Sequence, residues 1–341
     1  MSQVVDHLAE LTGFRDRDIL DTTLVSVLRD LLRPRAVAIC HVVGEEPNQH
    51  WLIRARLRQG DVAAQSDPVW VELESLPPLD AFADRVTCLR QQEPFESPGE
   101  VHMTYFPLLT DRDVIGVLEI ETHTDLDAEQ LRMVSNMMRI YRNVQGLLDY
   151  SERDGLTGLL NRKTFDDSFY KTAALATPAG VPGDDRRDGR VERQPYLGVV
   201  DIDHFKLVND QHGHLIGDEV LLLLSRLMRA SFRFHDRLYR FGGEEFVVLL
   251  RCASDDQALS ALDRLRAATE SYAFPQVGRI TVSIGFTRVG STDSPGEAFE
   301  RADKAVYWAK AHGRNRVAGY SALVAQGEIV EDHRRGDVEL F

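Results

Sequence analysis

The sequence predicts a mixed protein of the α+β class, built from two modules. The chain has 341 residues, more than one average domain contains. Helix-like and strand-like patterns alternate along it. Charge is also uneven. Residues 1–150 carry 14 arginines, no lysine and 25 acidic residues, whereas residues 151–341 carry 26 basic and 29 acidic residues. We therefore expect an acidic first module and a nearly neutral second one.

The first module, residues 1–126, combines one helix with an antiparallel sheet. A helix is predicted over the first 35 residues, because apolar residues recur at steps of three and four until Pro34 interrupts the pattern. The segment 110–113 is typical of a hairpin turn. The predicted strands are 36–43, 51–57, 105–109 and 114–121.

A single helix is predicted over residues 127–153, joining the two modules. Asp127 can cap it, and apolar residues follow with helical spacing until Gln145 interrupts them. Two interpretations stay open at this point. The helix either packs on its own domain or pairs with a second copy as a short parallel coiled coil.

The second module, residues 154–320, begins at Asp154-Gly155-Leu156-Thr157-Gly158, where two glycines indicate a special turn. Residues 177–194 are rich in Pro, Gly and charge, which predicts a solvated loop. The other predicted elements are helices 165–176, 218–230, 254–272 and 295–311, strands 196–202 and 279–287, and a hairpin over 236–250. Their order, βαββαβ, indicates a palm-type ferredoxin-like scaffold. Residues 321–341 are expected to be a polar tail.

Composition and charge exclude several functions. A net charge of −14 argues against binding nucleic acid or an anionic membrane. No signal peptide or membrane-length apolar run is visible, so we expect a cytoplasmic protein. The three cysteines, Cys40, Cys88 and Cys252, have no metal-ligand spacing. Together with His41 and His102, the first two could suggest haem or metal, but isolated residues of these types are more often structural.

Two pairs of acidic residues point to a metal site. The apolar strand 196–202 runs into Asp201 and Asp203, and ionised carboxylates at the end of a buried strand call for a bound cation. The hairpin places Glu244 and Glu245 at its tip, next to two glycines. Carboxylates that meet at one end of a sheet favour a hard divalent cation such as Mg²⁺.

Magnesium with few protein ligands usually takes phosphates as further ligands, so a nucleoside triphosphate is the expected substrate. Phe205 and Lys206 begin a helix after the Asp201 strand and could offer backbone N–H groups to phosphate. Lys310 and Arg314 lie four residues apart at the end of the last helix and could neutralise phosphate charge. Arg316 and Lys304 are weaker candidates.

The residues that carry this chemistry resemble the signature of GGDEF domains, the diguanylate cyclases. The string Gly-Gly-Glu-Glu-Phe at 242–246 is accompanied, in order and spacing, by blocks at 154–162, 201–221, 281–286 and 302–317. The resemblance covers residues 150–318. In the first module, the segments 106–109 and 114–120 resemble the closing hairpin of GAF domains, which suggests a GAF-like sensory domain.

The GGDEF resemblance implies condensation of two GTP molecules into cyclic di-GMP with release of two pyrophosphates. It also implies two Mg²⁺ or Mn²⁺ ions per active site. By matching position, Asp201, Glu244 and the Ile202 carbonyl look like metal ligands, and Glu245 lies close to the reacting group. The residues that would bind GTP are Phe205, Lys206, Asn209, Asp218, Gly242, Lys310 and Arg314. Of these, Asn209 and Asp218 would read guanine.

The family's chemistry also implies a homodimer, because each domain supplies half of the site; this favours the coiled-coil interpretation of helix 127–153. Arg233 and Asp236 match the family's RxxD inhibitory product site, and Arg264 matches its secondary arginine. An unknown signal or ligand would act on the first module. The alternative is a noncatalytic receptor that binds cyclic di-GMP on the same fold.

Overall fold

The computed structural model describes residues 12–13, 16–68, 71–97, 99–110, 113–174 and 193–330. The chain divides into two compact units, Met1–Ser151 and Glu152–Phe341, called here the N-terminal and C-terminal units. None of the described helices combines the length and hydrophobicity needed to cross a bilayer.

The N-terminal unit is a five-stranded antiparallel sheet with helices. Its strand order is β2-β1-β5-β4-β3. The elements are α1 Arg17–Leu32, β1 Ala36–Val43, β2 His50–Arg58, α2 Ala83–Gln91, β3 Phe95–Glu96, β4 His102–Leu109, β5 Val114–Thr122 and α3 Ala128–Glu152. Each of the four predicted strands is present. The predicted first helix is confirmed over Arg17–Leu32, and its earlier residues lie mostly outside the described part of the chain.

The two faces of this sheet carry different side chains because successive residues of a strand alternate. Val37 and Ile39 of β1 join one buried cluster with Leu24 of α1 and Val134 of α3. Ala38 and Cys40 join a different cluster with Trp51 and Cys88. The sequence analysis missed α2 and β3. In α2 only Arg85 and Cys88 are buried, so no apolar periodicity marks the helix.

Helix α3 begins as predicted, with the Asp127 carboxylate accepting hydrogen bonds from the N–H groups of Glu129 and Gln130. Its buried face, which includes Tyr141 and Leu148, belongs to the core of the N-terminal unit. Gln145 interrupts the apolar spacing because it is buried in a polar network, where its Nε2 donates to Tyr141 Oη at 2.9 Å. These contacts support a helix that packs on its own domain.

The C-terminal unit is a mixed sheet flanked by helices. Its elements are β6 Leu160–Asn161, α4 Arg162–Ala174, β7 Gln194–Ile202, α5 Phe205–His212, α6 His214–Ser231, β8 Arg237–Gly242, β9 Glu245–Cys252, α7 Asp255–Ser271, β10 Ala273–Phe274, β11 Gly278–Arg279, β12 Val282–Arg288, α8 Pro295–Ala311, β13 Val317–Gly319 and α9 Tyr320–Ala325. The large sheet has the order β13-β12-β7-β9-β8-β6. Its four middle strands give the ferredoxin-like βαββαβ arrangement that the sequence predicted.

Strand β7 lies in the middle of the sheet and is buried on both faces. Val199 packs in a cluster with Phe165 of α4, while Val200 packs in a second cluster with Leu224 of α6 and Leu262 of α7. This double burial explains the continuous apolar run that ends at Asp201. The strand therefore brings a carboxylate to the edge of the core.

Two predicted segments differ from the structure or fall beyond it. The loop predicted at 177–194 lies outside the described residues, apart from its last two. The predicted tail begins too early, because residues 320–325 form α9, and Tyr320 and Leu323 are buried in a cluster with Ala305 and Ala309 of α8. Apolar packing of this short helix extends the folded unit past residue 320.

Candidate functional site

Asp201 lies near the end of β7, between two neighbouring strands. It pairs with Glu245 of β9 on one side and with Ser283 of β12 on the other. Asp201 lies at the carboxyl end of this middle strand, and 7% of the residue is exposed. The register therefore brings together the two acidic pairs that the sequence placed on separate strands.

The β8–β9 hairpin positions Glu244. Gly242 pairs with Glu245, so Gly243 and Glu244 form the turn. The φ angles of Gly242 and Gly243 are 133° and 54°, in the region that favours glycine. The prediction that these glycines allow positive φ is confirmed.

The carboxylates of this edge raise one another's pKa. Burial raises the pKa of Asp201, and the nearby charges of Asp203 and Asp303 add to the effect although Lys310 opposes it. Burial and the charge of Asp201 likewise raise the pKa values of Glu244 and Glu245. A cluster of this kind favours binding of a cation. Asp303, on the exposed side of α8, was not singled out from sequence.

Lys310 is the cation that this arrangement places closest to Asp201. It lies in the last turn of α8, and its Nζ is 2.7 Å from Asp201 Oδ1. A third of its side chain is exposed, so the ammonium reaches the site from solvent. The sequence predicted a phosphate contact for Lys310 but not this ion pair.

Asp203 has a different role from its neighbour, which corrects the expectation that both acids serve a metal. Its two carboxylate oxygens accept hydrogen bonds from Thr281 Oγ1 and Ser283 Oγ, both at 2.7 Å, and from the N–H of Asn315 at 3.0 Å. The residue is 4% exposed. Asp203 therefore fastens the turn after α8 to the sheet.

The remaining carboxylates fit a divalent cation. No cluster of three or more His, Cys, Asp and Glu ligands is preformed among the described residues. Magnesium commonly uses one or two carboxylates together with water and substrate phosphates, so Asp201 and Glu244 are a sufficient protein contribution. The ammonium of Lys310 beside Asp201 shows that the position attracts positive charge.

The predicted guanine-reading residues lie on α5 and α6. A Cβ on Gly217 of α6 would collide with Asn209 Oδ1, so the amide of Asn209 lies directly against this glycine, one residue before Asp218. Phe205 is buried at the start of α5, whereas Lys206 and Asp218 are exposed. The close approach of the two helices thus brings Asn209 beside the backbone that carries Asp218, a role of Gly217 that the sequence analysis missed.

Arg314 is not on a helix, contrary to the prediction from its spacing to Lys310. Helix α8 ends at Ala311, and Gly313, Arg314 and Asn315 then adopt φ angles of 104°, 62° and 45°. Three successive residues with positive φ cannot continue a right-handed helix. The placement of Arg314 therefore depends on the turn that Asp203 holds through Asn315.

Arg240 connects the turn at Gly243 and Glu244, called here the signature turn, to Asp154 near the start of the C-terminal unit. The sequence analysis missed this role of Arg240. Its Nη1 donates to Asp154 Oδ1 at 3.0 Å, and its Nη2 donates to the Gly243 carbonyl at 2.9 Å. Asp154 also accepts from Thr157 N and Oγ1. Burial would raise the pKa of Asp154, but the hydrogen bonds from Thr157 and Arg240 outweigh burial and lower it.

The predicted inhibitory residues lie around the end of α6. The N–H of Arg233 donates to Asp236 Oδ2 at 3.0 Å, and the Arg264 guanidinium donates to the Ser231 carbonyl at 2.7 and 3.1 Å. Burial raises the pKa of Asp236 to about 6. Arg233 itself is exposed.

Comparisons with known proteins find a family match within the C-terminal unit. Residues 151–316 match the family described as "Diguanylate cyclase, GGDEF domain". Diguanylate cyclase DgcP of Pseudomonas aeruginosa is 41% identical over 167 residues, which are 48% of this chain and 23% of that protein. Diguanylate cyclase DgcZ of Escherichia coli is 34% identical over 199 residues, 58% of this chain and 62% of that protein. The chain thus spans less than two thirds of either relative.

A solved structure is also similar to this chain. It is the GGDEF domain of DgcB from Caulobacter crescentus in complex with c-di-GMP, with 33% identity and a TM-score of 0.45. The match covers 50% of this chain and 96% of that one.

Proposed function

We propose that this protein is a diguanylate cyclase, whose GGDEF domain in the C-terminal unit condenses two GTP molecules into cyclic di-GMP and two pyrophosphates. One observation carries the proposal. Asp201, Glu244 and Glu245 lie together at one end of the central strands, with Lys310 beside them. The family match over residues 151–316 supports the same conclusion.

The side chains bind and orient the nucleotide in this proposal. Asn209 and Asp218 bind the guanine edge. The N–H groups of Phe205 and Lys206 face the phosphates at the start of α5, and Gly242 lets the backbone approach closely. Lys310 and Arg314 neutralise phosphate charge.

Asp201, Glu244 and the Ile202 carbonyl would hold Mg²⁺ or Mn²⁺, two ions per site. When bound, the metal supplies a lower pKa for the attacking 3′-hydroxyl and stabilises the pyrophosphate leaving group. Glu245 lies next to this position, one residue after the turn. The carboxylates would face the metal, whose positive charge would offset both their charge and that of the reacting phosphate.

One unit supplies one half-site, so the proposal requires a homodimer with two units face to face. Helix α3 offers a second line of apolar residues for pairing, because Leu147 is 70% exposed while Met133 and Ile140 are only partly buried. Residues 133, 140 and 147 repeat every seven positions, the spacing of a coiled coil. Specific activity should therefore rise with protein concentration.

Regulation completes the proposal. The N-terminal unit would be a GAF-like sensory domain that gates the cyclase, and the product would inhibit at Arg233, Asp236 and Arg264. The antiparallel sheet with helices α1 and α3 on one face supports the first point. The exposed Arg233, whose backbone N–H donates to the Asp236 carboxylate, supports the second. The cytoplasm is the proposed location of this activity.

Incubation of the protein with GTP and Mg²⁺, after bound nucleotide has been stripped, tests the activity. We expect cyclic di-GMP and pyrophosphate in a ratio of one to two. Glu244→Gln should abolish synthesis without lowering the melting temperature. Glu300→Gln is a matched control, because Glu300 contacts Lys304 on the exposed face of α8, with Nζ 3.1 Å from Oε1.

A noncatalytic receptor would give a different result. It would bind cyclic di-GMP in a manner abolished by Arg233→Ala, yet form no product from GTP at any protein concentration. Turnover by Glu244→Gln at the wild-type rate would refute the proposed metal ligand. In an active enzyme, Arg233→Ala should make synthesis continue at product concentrations that stop the wild type.

A further inference from the structure

The N-terminal unit contains a cavity of about 470 Å³ that the proposed cyclase chemistry does not use. It lies on the face of the sheet opposite to α1 and α3, and its volume is typical of small-molecule sites. The register explains the empty space. Ala36 and Ala38 of β1 pair with Arg58 and Arg56 of β2, so two small side chains face two long ones.

The wall of the cavity combines aromatic and charged groups. The guanidinium of Arg85 lies 4.0 Å from the ring centre of Phe82 and 5.4 Å from that of Trp51. It also forms a bidentate ion pair with Glu119, at 2.8 and 3.0 Å. Phe82 is 40% exposed and Trp51 only 1%, so Phe82 supplies most of the flat apolar surface of this wall, and Glu119 neutralises the charge of Arg85.

Two other acids of the lining have partners different from Arg56 and Arg58. Asp67 Oδ2 accepts from the N–H of Ile53 at 2.7 Å, and Glu121 lies 3.7 Å from Arg35 Nη1. No carboxylate of the described residues lies within ion-pair distance of Arg56 or Arg58. Arg56 and Arg58 therefore form no ion pair among the described residues, and Asp67 is the lining acid that forms none either.

Arg56 is the group that identifies the ligand. Its Nε is buried and has no hydrogen-bond partner among the described residues, and its Nη2 has only a 3.3 Å bond to Gln65 Oε1. A buried donor without an acceptor destabilises the empty cavity and favours a ligand that supplies one. A guanidinium satisfies this need best with a carboxylate, whose geometry matches its own.

We propose that this cavity binds a small molecule with a flat apolar body and a carboxylate. The body would lie against Phe82, and the carboxylate would accept hydrogen bonds from Arg56, with Arg58 adding charge. This site is independent of the cyclase chemistry, so it stands or falls separately from the proposed function.

Titration of the full chain by calorimetry tests the site with a matched pair of probes, 2-naphthoate and 2-naphthalenemethanol. We expect saturable binding of 2-naphthoate, at least tenfold tighter than binding of the neutral alcohol, and a concentration-dependent rise in melting temperature. Arg56→Gln should weaken the carboxylate at least tenfold and leave the alcohol unchanged.

Two further variants separate this cavity from other sites. Ala36→Leu adds three carbons to the cavity and should prevent binding of both probes while the melting temperature of the free protein is kept. Arg90→Gln removes the same charge from an exposed position of α2 outside the lining and should leave both affinities unchanged.

Several results would overturn the proposal. They are equal affinity for the two probes, no saturable binding of 2-naphthoate, equal weakening by Arg56→Gln and Arg90→Gln, or undiminished binding by Ala36→Leu. Loss of GTP turnover in any of these variants would not bear on the cavity, because the calorimetry measures binding without GTP.

Discussion

At the scale of single residues, Asp201 and Asp203 belong to one short motif but have different roles. They are two positions apart and both nearly buried. Asp203 has three hydrogen-bond donors around it, whereas Asp201 faces other carboxylates and one ammonium. The first is satisfied within the fold and the second is left for a ligand.

The two acids should therefore respond differently to the same substitution. Asp201→Asn should abolish turnover and leave the free energy of unfolding equal or higher, because the raised pKa shows that the ionised form is disfavoured there. Asp203→Asn should lower it by about 1–3 kcal/mol, because an amide nitrogen would face a donor. Denaturant unfolding measures both, and a destabilised Asp201→Asn variant beside an unaffected Asp203→Asn variant would reverse the assignment.

Gly217 is a second residue whose role is visible only in three dimensions. Gly217→Ala should push the Asn209 amide away and raise KM for GTP about tenfold, with little change in melting temperature because Asn209 is partly exposed. Gly296→Ala is the matched control, since a Cβ at this helical position meets nothing within 4 Å. Steady-state kinetics of both variants decide the point; an unchanged KM in Gly217→Ala would remove the specificity role.

At the scale of elements, the β8–β9 hairpin depends on a contact with a distant part of the chain. Arg240 joins Asp154 to the Gly243 carbonyl, 86 positions separating the two side chains. Arg240→Lys keeps the charge but cannot make both contacts at once. We expect it to lower kcat at least tenfold and the free energy of unfolding by about 1–3 kcal/mol.

Arg237→Lys provides the control for this hairpin, because Arg237 is an exposed residue of the same strand. Kinetics and denaturant unfolding should both leave this variant at the wild-type level. If Arg240→Lys also keeps wild-type kcat, the contact stabilises the fold without positioning Glu244.

Helices α1 and α3 are joined by a buried polar network. Tyr141 Oη donates to Asp21 Oδ1 at 2.5 Å, and Arg17 Nη1 donates to Gln145 Oε1 at 2.5 Å. Burial raises the pKa of Asp21, although Arg54 and Tyr141 oppose the effect. The network replaces apolar packing at the positions where the sequence pattern of α3 is interrupted.

Removing one hydroxyl from this network should be costly. Tyr141→Phe removes the donor of Asp21 Oδ1 and the acceptor of Gln145 Nε2, while Arg54 still donates to Asp21 Oδ2. We therefore expect a loss of about 1–3 kcal/mol in the free energy of unfolding. Tyr150→Phe, at a position that is 89% exposed on the same helix, should have no effect. Equal stability of the two variants would mean that water replaces the hydroxyl.

Most elements could be predicted from sequence because their apolar periodicity is strong. Strand β1 and helix α8 were predicted with the bounds that the structure shows, since β1 packs on both faces of its sheet and α8 begins with a complete capping box at Ser294 and Glu297. Helix α2 could not be predicted from sequence, because its buried residues are an arginine and a cysteine. The periodicity of apolar residues cannot reveal a helix that is held by a guanidinium stacked on aromatic rings.

The candidate site was predictable as a set of residue types but not as a geometry. The strand order explains why Asp201 pairs with Glu245. The glycines of the motif at 242–246 predicted the turn. The ion pair of Lys310, the role of Asp203 and the contact of Arg240 depend on residues between about 80 and 112 positions apart. No short-range rule connects positions at such distances.

At the scale of the whole molecule, buried ionisable groups make stability depend on pH. Burial lowers the pKa of His41 to about 3, with the charges of Arg54 and Arg17 adding to the effect. Its Nε2 has no hydrogen-bond partner in the described part of the chain. An unfolded histidine binds a proton near pH 6.5, so below this pH the unfolded state takes up a proton that the folded state excludes.

The free energy of unfolding of the N-terminal unit should therefore fall as pH drops from 6.5 towards 3, by up to about 1.4 kcal/mol per pH unit. His41→Gln should remove this slope. In a Trp308→Phe background, tryptophan fluorescence reports the N-terminal unit alone, because the other two tryptophans, Trp51 and Trp70, lie in it. Asp21 titrates in both proteins, so their difference isolates His41; parallel curves would refute the prediction.

The contact between Asp154 and Arg240 also defines where this protein can be cut and spliced. A chimera that joins a foreign receptor to the C-terminal unit at Leu160 would keep every strand of the large sheet and every predicted GTP contact. It would nevertheless leave the signature turn without its tether. The transplantable module therefore starts before Asp154, and a protein engineer should place the junction at or upstream of Glu152.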